Sequence, residues 1–238
     1  MARVVTPDRS ADRARPRWRQ RAHRNLAGFQ ARTRARKRCG RTAIRRDHAR
    51  RKASCGEHRD IFDPDSTTDR RSFLLRPDLG RALHTDSRAE LDAARDRWGT
   101  RELCVVVSDG LSALAAERQV TPLLNALVPL LVAQGLTLYP VFVAPFARVK
   151  LADEVGERLG ARFSLILLGE RPGLSSPDSL GAYLTFGPSQ ARTDADRNCV
   201  SNIRAEGLPC VDAARGIAEL LSESARLGES GVALKLNA

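Results

Sequence analysis

Leu103-Cys104-Val105-Val106-Val107-Ser108-Asp109-Gly110 is the stretch on which the fold turns. Five consecutive apolar residues, three of them β-branched, are too few for a helix. Ser-Asp-Gly closes the run as a turn does. A strand that is apolar throughout is buried on both faces, as in parallel sheets covered by helices. The next segment fits this reading. Leu114 to Ala133 places Leu123, Leu124, Leu127, Leu130 and Leu131 at helical spacings, and Gln134-Gly135 ends it. Leu136 to Val143 then reads as a second buried strand, Leu151 to Leu159 as a short amphipathic helix, and Phe163 to Leu168 as a third strand. Ala182 to Phe186 is a fourth strand, and Val211 to Leu227 a helix stopped by Gly228. Strands alternating with helices predict an α/β domain: a Rossmann-like, mostly parallel sheet with helices on both faces.

Upstream the chain changes character near Arg71. Residues 1–71 carry 22 Lys and Arg against 8 Asp and Glu, so the net charge of +12 for all 238 residues lies entirely in this segment. Runs such as Arg32-Thr33-Arg34-Ala35-Arg36-Lys37-Arg38 hold no helical or strand period, and the apolar residues are mostly Ala. Such a segment cannot bury enough surface to offset its ordering entropy, so disorder is expected. Two origins compete for it. One is a basic tail for nucleic acid or an acidic partner; the other is a frameshifted translation of a GC-rich gene, which is preferred. Residues 72–238 are near neutral, and their charge does not suggest nucleic-acid binding.

Other classes are set aside on composition. The five cysteines, Cys39, Cys55, Cys104, Cys199 and Cys210, form no CxxC pair and read as reduced thiols of a cytoplasmic protein. No apolar run follows the basic start, so no secretory signal is expected. The stretch Leu124 to Pro145 is broken by Gln134, Gly135 and Pro140, so no membrane span is expected. Cys39, His48, Cys55 and His58 match no zinc-finger spacing. No histidine lies beyond His84, no P-loop or GxGxxG is present, and no metal site or catalytic triad is expected in the folded part.

In open α/β sheets, ligands lie beyond the carboxyl ends of the strands. Those ends are Ser108-Asp109-Gly110-Leu111-Ser112, Pro145 to Lys150, Gly169 to Ser179, and the loop leading to Asn198-Cys199-Val200-Ser201-Asn202-Ile203-Arg204. They are rich in Gly, Ser, Asp, Asn and Arg, which suits a large polar ligand. Bland readings stay open beside this one. Ser108, Asp109 and Ser112 are also candidates to cap the next helix, Glu170-Arg171 to be a solvated ion pair, and Cys199 to be a small buried hydrophobe.

The same strings resemble the small subunit (light chain) of ethanolamine ammonia-lyase. They are Leu74 to Arg81 (LLRPDLGR), Val107 to Ala113 (VSDGLSA), Gly169 to Leu180 (GERPGLSSPDSL) and Asp196 to Arg204 (DRNCVSNIR), in that order and spacing. The likeness runs from about residue 72 to the C-terminus; upstream only Phe29-Gln30 fits. The resemblance implies an enzyme that converts ethanolamine to acetaldehyde and ammonia by adenosylcobalamin radical chemistry. In it a TIM-barrel large subunit binds substrate, and the cofactor lies at the interface. It implies cofactor contacts at Val149, Glu170 and Cys199; Asn202 and Arg204 are added from the same sheet edge. No catalytic residue and no metal ligand is assigned to this chain. Residues 72–100 are expected to connect and pack on the large subunit, and 101–238 to form the cobalamin-facing domain. Neither nucleic acid nor membrane is an expected partner, and the family's association with bacterial microcompartments is the finer expectation for location.

Overall fold

The run that opened the argument is the central element. In a computed structural model, which describes residues 70–170, 173 and 176–236, β1 (Leu103–Ser108) is buried at every position. Residues 103, 105 and 107 pack into one apolar cluster and 104 and 106 into another, the two-sided burial expected of such a strand. Helix α1 (Arg70–Leu75) and helix α2 (Thr85–Trp98) precede it. After it come α3 (Ala113–Ala133), β2 (Phe142–Val143), α4 (Leu151–Leu159), β3 (Phe163–Gly169), β4 (Leu180–Phe186), β5 (Arg197–Ile203), α5 (Cys210–Leu227) and α6 (Val232–Leu236).

The sheet has five strands in the order β2-β1-β3-β4-β5. β1 runs parallel to β2 and β3, but β4 is antiparallel to β3 and β5 antiparallel to β4. The expected mostly parallel, Rossmann-like sheet is therefore corrected to a mixed sheet in which antiparallel pairing extends over the whole of β4. The reason is a missing crossover. A parallel neighbour needs a dozen or more connecting residues, usually with a helix. The connections from β3 to β4 and from β4 to β5 hold no α-helix among the described residues, so each strand turns back on the last.

Helices cover both faces, as expected. α3 and α5 pack on each other and on the face of Leu103, Val105, Leu165, Ala182 and Leu184. α4 covers Cys104, Val106, Ile166 and Leu168 on the other face, with α2 packed against α4. The second face stays incompletely covered beyond β3, where Tyr183 is half-buried and Cys199 exposed. No described helix is long and apolar enough to cross a membrane, and no group of His, Cys, Asp and Glu among the described residues is placed to hold a metal. The basic segment and the four residues tested against zinc-finger spacing lie outside the described residues, save Arg70 and Arg71. Those two belong to α1, so the described helix reaches two residues into the segment expected to be disordered.

Candidate functional site

The sheet edge anticipated from the sequence survives the change of topology. β4 starts beside the end of β3, with Leu180 opposite Gly169, and β5 ends beside the start of β4, with Ile203 opposite Leu180. Two consecutive reversals bring β5 back into the direction of β3. The ends of β1, β2, β3 and β5 thus share one edge with the loop 170–179.

At that edge the close approach of two turns needs glycine. A Cβ on Gly169 would lie 2.0 Å from the Ser112 carbonyl oxygen, and one on Gly110 would lie 2.5 Å from that of Gly169. Leu111 N–H donates to the Gly169 carbonyl at 2.7 Å. Ser112 is the helix cap that the bland reading proposed, accepting from Ala115 N–H at 3.2 Å, and its hydroxyl also donates to the Pro177 carbonyl at 2.7 Å. Ser108 and Asp109 are not caps. The Ser108 hydroxyl oxygen accepts from Ala147 N–H at 3.0 Å, and Asp109 Oδ1 accepts from Phe146 N–H at 2.7 Å. Both reach across to the loop after β2.

The alternative Glu170-Arg171 pair is not placed, because Arg171 lies outside the described residues; Glu170 itself is engaged. Its carboxylate accepts from the Ser179 hydroxyl and, at 3.3 Å, from the backbone N–H of Asn202. Asn202 has a φ of 56°, a conformation Asn tolerates better than most residues. That geometry lets its N–H face Glu170 while its carbonyl accepts from Leu208 N–H at 2.8 Å. Arg204 is turned elsewhere: it is buried, its guanidinium pairs with Glu206, and its backbone closes the turn to Leu208.

Cys199 corrects a second expectation. It stands in the middle of β5 and not in a loop beyond a strand, opposite Tyr183 on the incompletely covered face. Tyr183 is the residue that sequence reasoning missed. Burial raises its phenol above the usual range, and Cys199 and Glu170 beside it push the same way, so it stays protonated. The signal was present in the alternation of Leu180, Ala182 and Leu184 with Gly181, Tyr183 and Thr185, which puts the aromatic on the less covered side.

A cleft of about 510 Å³ opens on this side, lined by Val149, Lys150, Leu168, Tyr183, Arg192 and Arg197 among others. Val149 and Tyr183 share the cleft directly, and Tyr183 connects it to Cys199 and Glu170. Of the five expected residues only Val149 lines this cleft. Glu170 and Cys199 lie next to Tyr183, and Cys199 also lines a second cleft with Gly216 and Leu220 of α5. Asn202 meets Glu170 through its backbone, and Arg204 pairs with Glu206. The wall is basic and includes the side chain of Arg197, only 4% exposed, whose Nε has no partner.

The exposure of the thiols makes a prediction. Burial pushes the Cys104 thiol up to about 12, whereas Cys199 is exposed. An alkylating reagent at pH 8 is expected to label Cys199 in the native subunit and Cys104 only after unfolding, as read by peptide mass spectrometry. Equal labelling of the two would contradict the placement of β1. Cys104 also acts on stability. Its folded value lies above the ordinary 9.0, so the stabilisation from a neutral thiol is complete below pH 9 and is lost as pH climbs towards 12.

Comparison with known proteins adds independent findings. The ethanolamine ammonia-lyase light chain (EutC) family pattern matches residues 23–235, starting well before the Ser72 boundary of the resemblance. The ethanolamine ammonia-lyase small subunit of Azotobacter vinelandii is 51% identical over 168 residues, covering 70% of this chain and 62% of that protein. That of Pseudomonas syringae pv. tomato is 47% identical over 192 residues, covering 79% and 67%. That of Pseudomonas fluorescens Pf-5 is 49% identical over 192 residues, covering 79% and 70%. The chain thus spans about two thirds of the length of the relatives it matches.

Proposed function

Because the chain belongs to the ethanolamine ammonia-lyase light chain family, we propose that it serves as the small subunit of such an enzyme, which converts ethanolamine to acetaldehyde and ammonia. It closes over a large subunit that binds the substrate and holds adenosylcobalamin between the two. The observation that carries the cofactor reading is that Val149 and Tyr183 line one cleft, with Cys199 and Glu170 next to Tyr183 at its side.

The residues fit such a group. Cobalamin is a broad, partly apolar macrocycle fringed by amides and a phosphate. Val149 and Leu168 offer apolar contact, while Arg81, Arg148, Lys150 and Arg192 place cationic side chains on the cleft wall. The cleft is open on one side, as a site completed by another chain would be. His84 is engaged at the start of α2, where its Nδ1 accepts from Asp86 N–H. His84 is not among the residues that line the cleft, so no imidazole ligand from the described part of this chain is part of the proposal.

When bound, the cofactor supplies the radical chemistry that removes hydrogen from the substrate carbon. The chain's own part is to bind, orient and exclude water. Glu170 is preset by Ser179 and Asn202, so it meets the ligand without reorganising. Tyr183 is kept as a neutral donor. Val149 and Leu168 supply the apolar part of an otherwise basic wall, which helps keep water from reactive species. Arg204 contributes indirectly, by holding the turn behind Asn202, and no general base is assigned to this subunit. Residues 72–100 pack on the large subunit in this reading; Leu74 and Leu75, 55% and 68% exposed, are apolar surface suited to a partner. The location is the cytoplasm, with a bacterial microcompartment as its finer form.

The test is co-expression with a large subunit and titration of the complex with adenosylcobalamin, followed by absorbance. Glu170→Ala is expected to weaken cofactor affinity about tenfold, roughly the 1.4 kcal/mol of a lost charge-assisted contact. Unchanged affinity together with unchanged turnover would remove Glu170 from the site.

A further inference from the structure

Asp109 performs a task that neither the cap reading nor the cofactor reading contains. Its side chain is almost fully buried at the end of β1. Oδ1 accepts from Phe146 N–H at 2.7 Å, and Oδ2 faces Nη1 of Arg70 at 3.3 Å. The same Arg70 guanidinium also donates to the carbonyls of Gly110 and Leu111. Asp109 thus joins three segments: the turn after β1, the loop after β2 and helix α1.

The loop it holds is strained and leads directly to Val149. Phe146 has a φ of 54°, which costs a bulky residue on the order of 1 kcal/mol or more and persists only where surrounding contacts over-determine it. Those contacts are all here. Asp109 takes the Phe146 N–H, and Ser108 takes the N–H of Ala147. The Phe146 carbonyl lies so near Gly80 that a Cβ there would sit 2.2 Å away. Arg148 N–H donates to the Gly80 carbonyl at 2.8 Å. The Arg148 side chain donates to the carbonyls of Leu79 and Phe73 at 2.9 and 2.7 Å and covers the Phe73 ring at 4.4 Å. The residue that follows is Val149.

We propose that Asp109 is a positioning residue for the cofactor site: by fixing Phe146 in its left-handed conformation it sets Val149 in the cleft and locks helix α1 to the same loop. The inference rests on the cofactor reading above. It places the origin of site geometry in the Ser108-Asp109 pair, outside the residues that line the ligand.

The test uses the complex with the large subunit, adenosylcobalamin as the probe, and amide hydrogen exchange at Phe146 and Ala147 as a second readout. Asp109→Ala is expected to raise half-saturation for the cofactor about tenfold, with faster exchange confined to residues 144–150 and α1. Asp109→Asn keeps an acceptor for Phe146 N–H, and is expected to restore loop protection and most of the affinity. If Asp109→Ala does not fold, Ser108→Ala, which frees the N–H of Ala147, carries the test with the same expectations. Should the unaltered complex fail to bind adenosylcobalamin, the cofactor reading falls and this inference falls with it. Should it bind, while Asp109→Ala binds equally well, only the positioning role is overturned. Exchange that speeds up uniformly through the whole sheet, without rescue by Asn, would also overturn it, because Asp109 would then support the fold and not the site.

Discussion

Gly169→Ala is expected to destabilise the subunit by about 3 kcal/mol or more, seen as a lower urea midpoint at unchanged slope. The added Cβ would lie 2.0 Å from the Ser112 carbonyl oxygen and 2.6 Å from that of Asp109. Neither is a side chain that can swing aside. The turn after β1 would have to lift from β3, breaking the Leu111 N–H contact to the Gly169 carbonyl, or β3 would have to leave its pairing with β1. The loss is a large part of the stability of a domain this size. A midpoint shift worth less than about 1 kcal/mol would mean that the two turns are not packed as described, and the shared edge would lose its anchor.

The second large effect concerns the buried ion pair of Asp153 and Arg197. Asp153 lies on α4 and Arg197 begins β5, and their side chains are 1% and 4% exposed. Burial raises the Asp153 carboxyl above its usual range, against the pull of Arg197 and Lys150. A carboxylate whose folded value is raised favours folding most in its protonated form, so the contribution grows as pH falls through that value. The ionised pair is therefore a poor stabiliser at neutral pH, and Asp153 Oδ1 and Arg197 Nε both lack partners. Asp153→Ala nevertheless leaves a buried guanidinium answered by the exposed Asp194 and a long contact to the Arg192 carbonyl. The expected loss is about 3 kcal/mol. Asp153→Ala with Arg197→Met removes both charges and is expected to cost less than the single change. Chemical denaturation of the two variants decides the matter. A double variant weaker than the single would show that Arg197 is held by its other contacts, Asp194 and the Arg192 carbonyl, and is not stranded by the loss of Asp153.

How much of this was legible in the sequence depended on periodicity. β1, α3, α4, β3 and α5 carry uninterrupted apolar runs or clean helical spacings, and all were read near their observed bounds. β2 was drawn too long, because Leu136 to Val141 is apolar without pairing continuously; only Leu138 bridges to Leu103 before Phe142. α2 went unread because, with Leu91 fully buried, most of its remaining residues are polar and exposed, leaving little amphipathic pattern. β5 went unread for a related reason. As an edge strand it buries Asn198 and Ile203 but exposes Cys199, Ser201 and Asn202, so no apolar alternation marks it.

The site was legible in outline and not in orientation. Val149, Glu170 and Cys199 came from resemblance, and the sheet-edge rule placed the loops of the first two correctly. It did not foresee that Cys199 would stand mid-strand opposite Tyr183. The direction of β4 was readable after all: no helical pattern lies between Leu168 and Ala182, and a parallel return without a crossover is excluded by geometry. The rule that strands alternate with helices was applied one strand too far.

The most direct test is a structure of this subunit bound to a large subunit and adenosylcobalamin. The account predicts one cofactor within contact distance, about 4 Å, of Val149, Tyr183 and Glu170, with Cys199 at its border. A cofactor seated on the α3–α5 side of the sheet, or touching only one of those residues, would contradict it.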